Sequence, residues 1–221
     1  MSGSIGLIQD EEVISEYLLN VSVTHSERLL DAIGFVLRNA RCAVEDLDGL
    51  AVSLGPGSFT GVRIGVSTVK GLAYASRKPL VGVSTLDVLA FQVSPTPYLI
   101  CPVIDARKGE VYTAFYRYLE NTPKRQSEYQ VIRPDVLIGM VKEQTIFVGN
   151  GVKTFREVLQ KSLESLATFP PVPFHIPHGA SVARLGLKFL QKGDLLDLAT
   201  FSPLYVRPSE AEIKWREGHP D

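Results

Sequence analysis

One stretch constrains this chain more than any other. The apolar run Gly49 to Leu54 leads directly into Gly55-Pro56-Gly57-Ser58-Phe59-Thr60-Gly61-Val62-Arg63-Ile64-Gly65. A short continuous apolar run reads as a strand covered on both faces, as in parallel or mixed sheets. The segment Gly61 to Arg77 reads as a helix, so the glycines mark a tight strand-to-helix turn. Glycine lets backbone amides approach a ligand closely, and a helix N-terminus attracts anions. The same residues also serve a plain tight turn, since short glycine motifs recur without any ligand. Both readings stand at this point, and both require an α/β chain.

The rest of the chain agrees with that class. Ser4 to Ile8 and Val13 to Leu18, separated by Gln9-Asp10-Glu11-Glu12, form a β-hairpin pattern. Thr24-His25-Ser26-Glu27 offers helix N-cap residues, and the helix should run to about Ala40. That helix carries two apolar stripes, one of Leu29, Ile33, Val36 and Ala40 and one of Leu30, Gly34 and Leu37. A surface helix needs only one stripe; two mean deep burial or a second face for a partner. The helix Gly61 to Arg77 is thin, with Gly65, Ser67, Gly71, Ala73 and Ala75. Glycine inside a helix costs about 1 kcal/mol against alanine, which close packing against another element would offset.

Downstream, strands are expected at Pro79–Val83, Tyr98–Ile104, Val111–Tyr118, Glu128–Ile132 and Thr145–Val148. Helices are expected at Ser84–Val93, Pro134–Val141, Val152–Leu166 and Ala180–Gln191. Asn121–Ser127 reads as a polar loop, Phe169–Pro177 as extended, and Phe201–Val206 as a late strand or extended segment. Ser94-Pro95-Thr96-Pro97 is the best candidate boundary. It divides the chain into residues 1–95, residues 96–207 and a charged tail, 208–221.

Composition narrows the function. With 221 residues and a net charge of −1, no global field draws in nucleic acid. Any such role needs a local patch or a partner. Cys42 and Cys101 lack metal-ligand spacing and read as buried free thiols of a reducing compartment. No apolar run is long enough to span a bilayer, and the first residues do not read as a signal peptide. The cytoplasm is the expected location.

Catalytic patterns are sparse. The four histidines, His25, His175, His178 and His219, occur in no hydrolase or zinc-protease motif. His175 and His178 flank Pro177 without further ligands. Ser58 and Thr60 have no base nearby in sequence. There is no Gly-Lys-Ser/Thr, so a P-loop is excluded. Asp105 and Arg107 form a polar pair at a strand end, whose plainest reading is a surface salt bridge.

Taken together, these motifs resemble a known family. The eleven residues Gly55 to Gly65, with His25-Ser26-Glu27, Asp105-Ala106-Arg107, Lys70-Gly71-Leu72-Ala73 and Tyr205-Val206-Arg207, look like the TsaB (YeaZ) family. The resemblance covers nearly the whole chain. It implies the actin-like ATPase superfamily (ribonuclease H-like) fold, α/β, with two lobes of mixed sheets. It also implies a non-catalytic subunit that binds TsaD, which makes N6-threonylcarbamoyladenosine at position 37 of ANN-decoding tRNAs. TsaE would join through the TsaB–TsaD dimer, tRNA would be met only within the complex, and the subunit alone would form a homodimer through a similar surface.

The resemblance assigns the partner and dimer interface to the two N-terminal helices, at His25, Leu29, Leu30, Ile33, Leu37, Val62, Val66, Val69, Lys70, Ala73 and Tyr74. Gly55, Pro56, Gly57, Ser58, Phe59, Thr60, Gly61 and Arg63 form the family loop, with nucleotide contact as its lesser role. Asp105 and Arg107 form the second motif. TsaD carries a metal-binding histidine pair where this chain has Thr85 and Leu89, and neither leucine nor a lone threonine ligates iron or zinc. No catalytic residue, metal or cofactor is therefore expected, beyond ATP or ADP held weakly or at a shared interface. The contrasting expectation is a stand-alone ATP-hydrolysing or glycoprotease-like enzyme of the same superfamily. Family members usually open with a strand ending in Asp-Thr-Ser, and the first N-terminal strand is expected to be missing here.

Overall fold

A computed structural model describes residues 2–20 and 26–207. The N-terminal hairpin forms as expected. β1 (Ser2–Gln9) pairs antiparallel with β2 (Glu12–Asn20), with a register shift between Leu7 and Ile8. α1 (Ser26–Asn39) follows; most of its expected cap lies outside the described residues. β3 (Leu50–Ser53) then pairs parallel with β4 (Leu80–Val83) across α2 (Phe59–Ser76). This is a βαβ unit, in which the crossover helix covers one face of the pair. α3 (Thr85–Phe91) follows, with Ser84 Oγ accepting from Leu86 N at 3.2 Å.

The second half is built on a seven-stranded mixed sheet. β5 (Leu99–Asp105) is central. One of its edges carries β6 (Val111–Thr113) and then β7 (Tyr116–Leu119). The single strand expected over Val111–Tyr118 breaks there because Phe115 turns aside. Its N–H donates to Ser127 Oγ at 3.0 Å, and its carbonyl accepts from Gln126 N at 2.7 Å. The polar loop expected at Asn121–Ser127 instead contains β8 (Thr122–Arg125), paired antiparallel with β7. Glu120 and Asn121 both have positive φ, 50° and 60°. That backbone suits a tight two-residue hairpin, but without a glycine the turn is hard to read from sequence.

β9 (Gln130–Ile132) extends the sheet beyond β6, and α4 (Pro134–Met140) crosses back. β10 (Thr145–Val148) joins the other edge of β5, followed by α5 (Gly151–Leu163) and the short β11 (Ala167–Thr168). Phe169–Pro177 is not wholly extended, because Val172–His175 forms a 3-10 turn with Phe174 N donating to Pro171 O at 3.1 Å. Proline suits a first helical turn, where its missing N–H removes no bond. α6 (Gly179–Lys192) is the last helix or strand among the described residues. The strand considered at Phe201–Val206 does not form; Leu204 N alone reaches Leu54 O, at 2.8 Å.

Among the described residues three apolar cores result. Cys101, Val103, Phe147 and Leu159 centre one, between the large sheet and α4–α5. Leu86, Leu89, Ile100 and Tyr116 centre the second, under α3. Val52, Val66, Ala73 and Leu80 centre the third, between β3–β4 and α2. Two packing relationships cross the Ser94–Pro97 loop. α3 contributes side chains to the core of the large sheet, and α6 returns to lie on β1, β3 and β4.

α6 takes its N-terminal cap from the hairpin, not from its own flank. Gly179 N donates to Ser4 Oγ at 2.7 Å, and Ala180 N donates to Glu16 Oε1 at 2.9 Å. The first N–H groups of a helix have no partner inside it, so these two strand residues supply the acceptors. The same contact leaves no room for a side chain at Gly6, where a methyl group would lie 2.2 Å from Ala180 N.

The thiols differ. Cys101 is buried against Thr113, and burial pushes its thiol up to about 12. Cys42, expected to be buried, is only half-buried and donates to Ala43 O at 3.3 Å. Its pKa is also raised, first by desolvation and then by Asp46.

Candidate partner face and glycine-rich corner

The glycine-rich stretch is a corner rather than an open loop. β3 ends at Ser53, and the chain turns through Gly55 at φ +101°, a left-handed conformation that favours glycine. The Gly55–Pro56 bond is cis. α2 then starts at Phe59, two residues earlier than expected. Ser58 caps it, with Gly61 N donating to Ser58 Oγ at 3.4 Å and Val62 N to Ser58 O at 2.9 Å. Phe59, Thr60, Gly61 and Arg63 therefore belong to the first helical turns. Gly55 and Pro56 are buried, and Gly55 O accepts from Thr85 N at 2.8 Å.

Arg63 is already engaged. Its guanidinium lies 3.8 Å from the centroid of the Phe59 ring, and its Nε donates to Tyr205 Oη at 3.0 Å. This cluster ties the 203–205 segment to the start of α2. Thr85 shares a 2.7 Å hydrogen bond with Ser53 Oγ, while Leu89 is fully buried in apolar surroundings. Among the described residues no group of three His, Cys, Asp or Glu side chains stands together as a metal-binding set.

Asp105 and Arg107 meet through the backbone, not as the side-chain salt bridge expected. Arg107 N donates to Asp105 Oδ1 at 2.8 Å, in a turn where Arg107, Lys108 and Gly109 all have positive φ. The ion pair at this turn joins Arg207 to Glu110, and Arg207 also reaches Ala106 O. The second motif and the Tyr205–Arg207 motif are thus neighbours in space. Among the histidines, His178 Nδ1 lies 3.0 Å from Glu16 Oε2. His175 sits in the 3-10 turn, where burial lowers its pKa.

Exposure divides the residues expected at the partner face. Leu30 is 58 % exposed and Tyr74 is 79 % exposed. Leu29, Ile33, Val62 and Val69 are half-buried. Leu37, Val66 and Ala73 are buried inside the chain, so they back the helices and present no surface of their own. Lys70 Nζ rests 4.8 Å from the Phe201 ring centroid. His25 lies outside the described residues. Phe35, 49 % exposed, and Phe59, 47 %, add apolar surface on the same two helices.

Contrary to expectation, close packing within the chain does not explain the thinness of α2. A methyl group at Gly65 or Gly71 would meet no other atom within 4 Å. Gly71 and Tyr74, one turn apart, leave open surface on the outer side of α2.

Sequence reasoning missed one polar cluster. Asp87 on α3 accepts hydrogen bonds from Tyr116 and Tyr129. Burial raises both phenols, Tyr129 to about 12, and Asp87 opposes their ionisation further. Nothing in the local pattern around Asp87 signals partners so far along the chain.

Comparison with known proteins agrees with this arrangement. The sequence model described as TsaD, tRNA N6-adenosine threonylcarbamoyltransferase, matches residues 19–215. The chain is 32% identical to the tRNA threonylcarbamoyladenosine biosynthesis protein TsaB of Bacillus subtilis, covering 96% of this chain and 93% of that one. It is 28% identical to the TsaB of Escherichia coli, over 87% of this chain and 84% of that one. Two Pseudomonas aeruginosa structures are similar at 25% identity. YeaZ superposes with a TM-score of 0.77 over 92% of this chain and 94% of that one. A protein described as similar to peptidase YEAZ superposes with a TM-score of 0.79 over 93% and 94%. With sequence and backbone similar over most of their length and the Gly55–Gly65 corner in place, the chain belongs to the TsaB (YeaZ) family.

Proposed function

We propose that the chain is a non-catalytic subunit of the machinery that makes N6-threonylcarbamoyladenosine at position 37 of ANN-decoding tRNAs, and that it binds and stabilises TsaD. The relatives' names supply the pathway. The observation that carries the binding role is apolar surface on the two helices, with Leu30 exposed on α1 and Tyr74 exposed on α2 next to the open surface at Gly71. Apolar side chains grouped on one face mark a contact with another protein, and a glycine lets a partner's backbone come close. The same face serves a homodimer, so TsaD and a second copy compete for it. TsaE joins through the TsaD pair, tRNA is met only within the complex, and the setting is the cytoplasm.

On this reading residues 1–95 form the partner-binding lobe of an actin-like fold and residues 96–207 the second lobe, with the sheet of the first lobe short of one strand. The Gly55–Gly65 corner fixes α2 against the partner, and any ATP or ADP contact is weak. Arg63, held by Phe59 and Tyr205, supports the structural role.

Co-expression with TsaD from the same genome tests the reading. The two should elute as one complex, and Leu30→Glu or Tyr74→Glu should weaken it at least tenfold while leaving the fold intact. A chain that never associates with TsaD would refute it. Nucleotide turnover by the purified chain, abolished by Gly57→Val, would instead favour a stand-alone enzyme.

A further inference from the structure

Three segments far apart in the chain come together in space. One is the start of α2, Phe59 to Arg63. Another is the turn between β5 and β6, Asp105 to Glu110. The third, Pro203 to Arg207, contacts both. Leu204 N donates to Leu54 O at 2.8 Å, just beyond β3. Tyr205 Oη accepts from Arg63 Nε at 3.0 Å, and its ring centroid lies 6.0 Å from that of Phe59. Two residues on, at most about 7 Å along the chain, Arg207 pairs with Glu110 and reaches Ala106 O at 3.5 Å.

The surface chemistry of this junction is unlike that of the helix faces. Phe59 and Tyr205 are 47 % and 43 % exposed, and neither ring belongs to any of the three apolar cores. Arg63, Arg107 and Lys108 are exposed, and Arg207 is half-buried. The three segments hold four cations and two carboxylates, an excess of two positive charges in a chain whose net charge is −1. Both carboxylates are engaged, Asp105 with the Arg107 N–H and Glu110 with Arg207.

The junction is also pre-ordered. Ala106 N donates to Glu110 O at 2.9 Å and Glu110 N to Arg107 O at 3.0 Å, closing a turn in which Arg107 and Lys108 have φ of 63° and 51°. A surface already fixed loses less conformational freedom when a ligand binds.

We infer that this junction binds an unpaired RNA loop. Phe59, Tyr205 and the Arg63 guanidinium form its stacking surface, and Arg107 and Lys108 meet the phosphates. Unpaired bases stack on aromatic rings and guanidinium planes, while cations track the backbone. An RNA duplex fits poorly, because its bases are already stacked on one another. A protein fits less well, because charged residues are depleted at the core of protein interfaces. The inference deepens the reading of the chain as a subunit that meets tRNA within a complex, and rests on it for the choice of RNA, since position 37 lies in the unpaired anticodon loop.

Fluorescence polarisation with a labelled anticodon stem-loop of an ANN-decoding tRNA tests it. The titrant is the complex with TsaD, or the full chain alone if no complex forms, so failure of the co-elution experiment leaves this one intact. Phe59→Ala and Tyr205→Ala should each weaken binding at least about fivefold, whereas Tyr205→Phe, which keeps the ring, should stay within about twofold. Arg107→Gln combined with Lys108→Gln should weaken binding and lower the salt slope by about 1.4 for the two cations lost. A blunt-ended RNA duplex should bind Phe59→Ala as well as it binds the unsubstituted protein. Stem-loop affinity unchanged in both aromatic variants would overturn the inference. An equal loss for duplex and stem-loop would overturn it too, leaving charge attraction alone. Loss of TsaD co-elution in these variants, with RNA affinity unchanged, would overturn it and assign the junction to the protein contact.

Discussion

The Tyr116 hydroxyl donates to Asp87 Oδ1 at 2.6 Å, joining β7 of the large sheet to α3. Tyr129 donates to the same carboxylate at 2.8 Å, so one acidic residue satisfies two largely buried phenols. Leaving a buried polar group without a partner costs about 1–3 kcal/mol. Asp87→Ala should therefore destabilise the chain by about 3 kcal/mol in urea unfolding, and Tyr116→Phe in that background should recover part of the loss.

The same cluster sets a pH response. Tyr129 titrates near 12 in the folded state against 10 for a free phenol, and Tyr116 is raised as well. Above pH 10 the unfolded chain loses these protons while the folded chain keeps them. Stability is thus fully present below pH 10 and falls as pH rises from there through the folded value. Urea midpoints measured across this alkaline range should decline, and Tyr129→Phe should make the decline shallower.

Gly6 and Gly71 should respond to alanine with opposite signs. At Gly6 the added methyl meets the Ala180 backbone at 2.2 Å, which no rotamer change relieves. Overpacking of that kind costs about 3 kcal/mol. At Gly71 the methyl meets nothing, and alanine in a helix gains about 0.5–1 kcal/mol over glycine. Thermal unfolding of the two variants measures both effects.

Glu16 caps α6 from outside. Glu16→Ala removes the acceptor of Ala180 N and the neighbour of His178 Nδ1. Loss of a helix cap costs about 1 kcal/mol. The variant should lose stability by about that amount and exchange the first amides of α6 faster.

Thiol reactivity should separate the cysteines. Cys101 is buried with its pKa raised to about 12, so it has almost no thiolate in the folded chain. Cys42 is half-buried and more accessible. An alkylating reagent should modify Cys42 in the native protein and reach Cys101 only after unfolding, with mass spectrometry locating each adduct.

Local chemistry makes much of this chain legible in its sequence. Apolar runs such as Gly49–Leu54 and Tyr98–Ile104 read as buried strands, and the glycines after Leu54 mark a corner into α2. The family motif is readable for the same reason, because its residues are contiguous. Local chemistry fails where a short segment lacks its usual signal. Thr122–Arg125 is a strand behind a turn without glycine, and Ser58, not Gly61, sets the start of α2.

Only the tertiary structure could decide what depends on residues far apart. Ser4 and Glu16 cap a helix that begins at Gly179, Asp87 meets Tyr116 and Tyr129, and Arg207 pairs with Glu110. No periodicity in the sequence encodes such pairs, because each is set by how whole elements stack. Exposure belongs to the same class: Leu30 and Leu37 share a stripe, yet one is 58 % exposed and the other 9 %. The sequence determined the elements and the family, since strand, helix and turn preferences act over a few residues. The tertiary structure determined which faces meet, since packing acts between elements that the chain brings together only once folded.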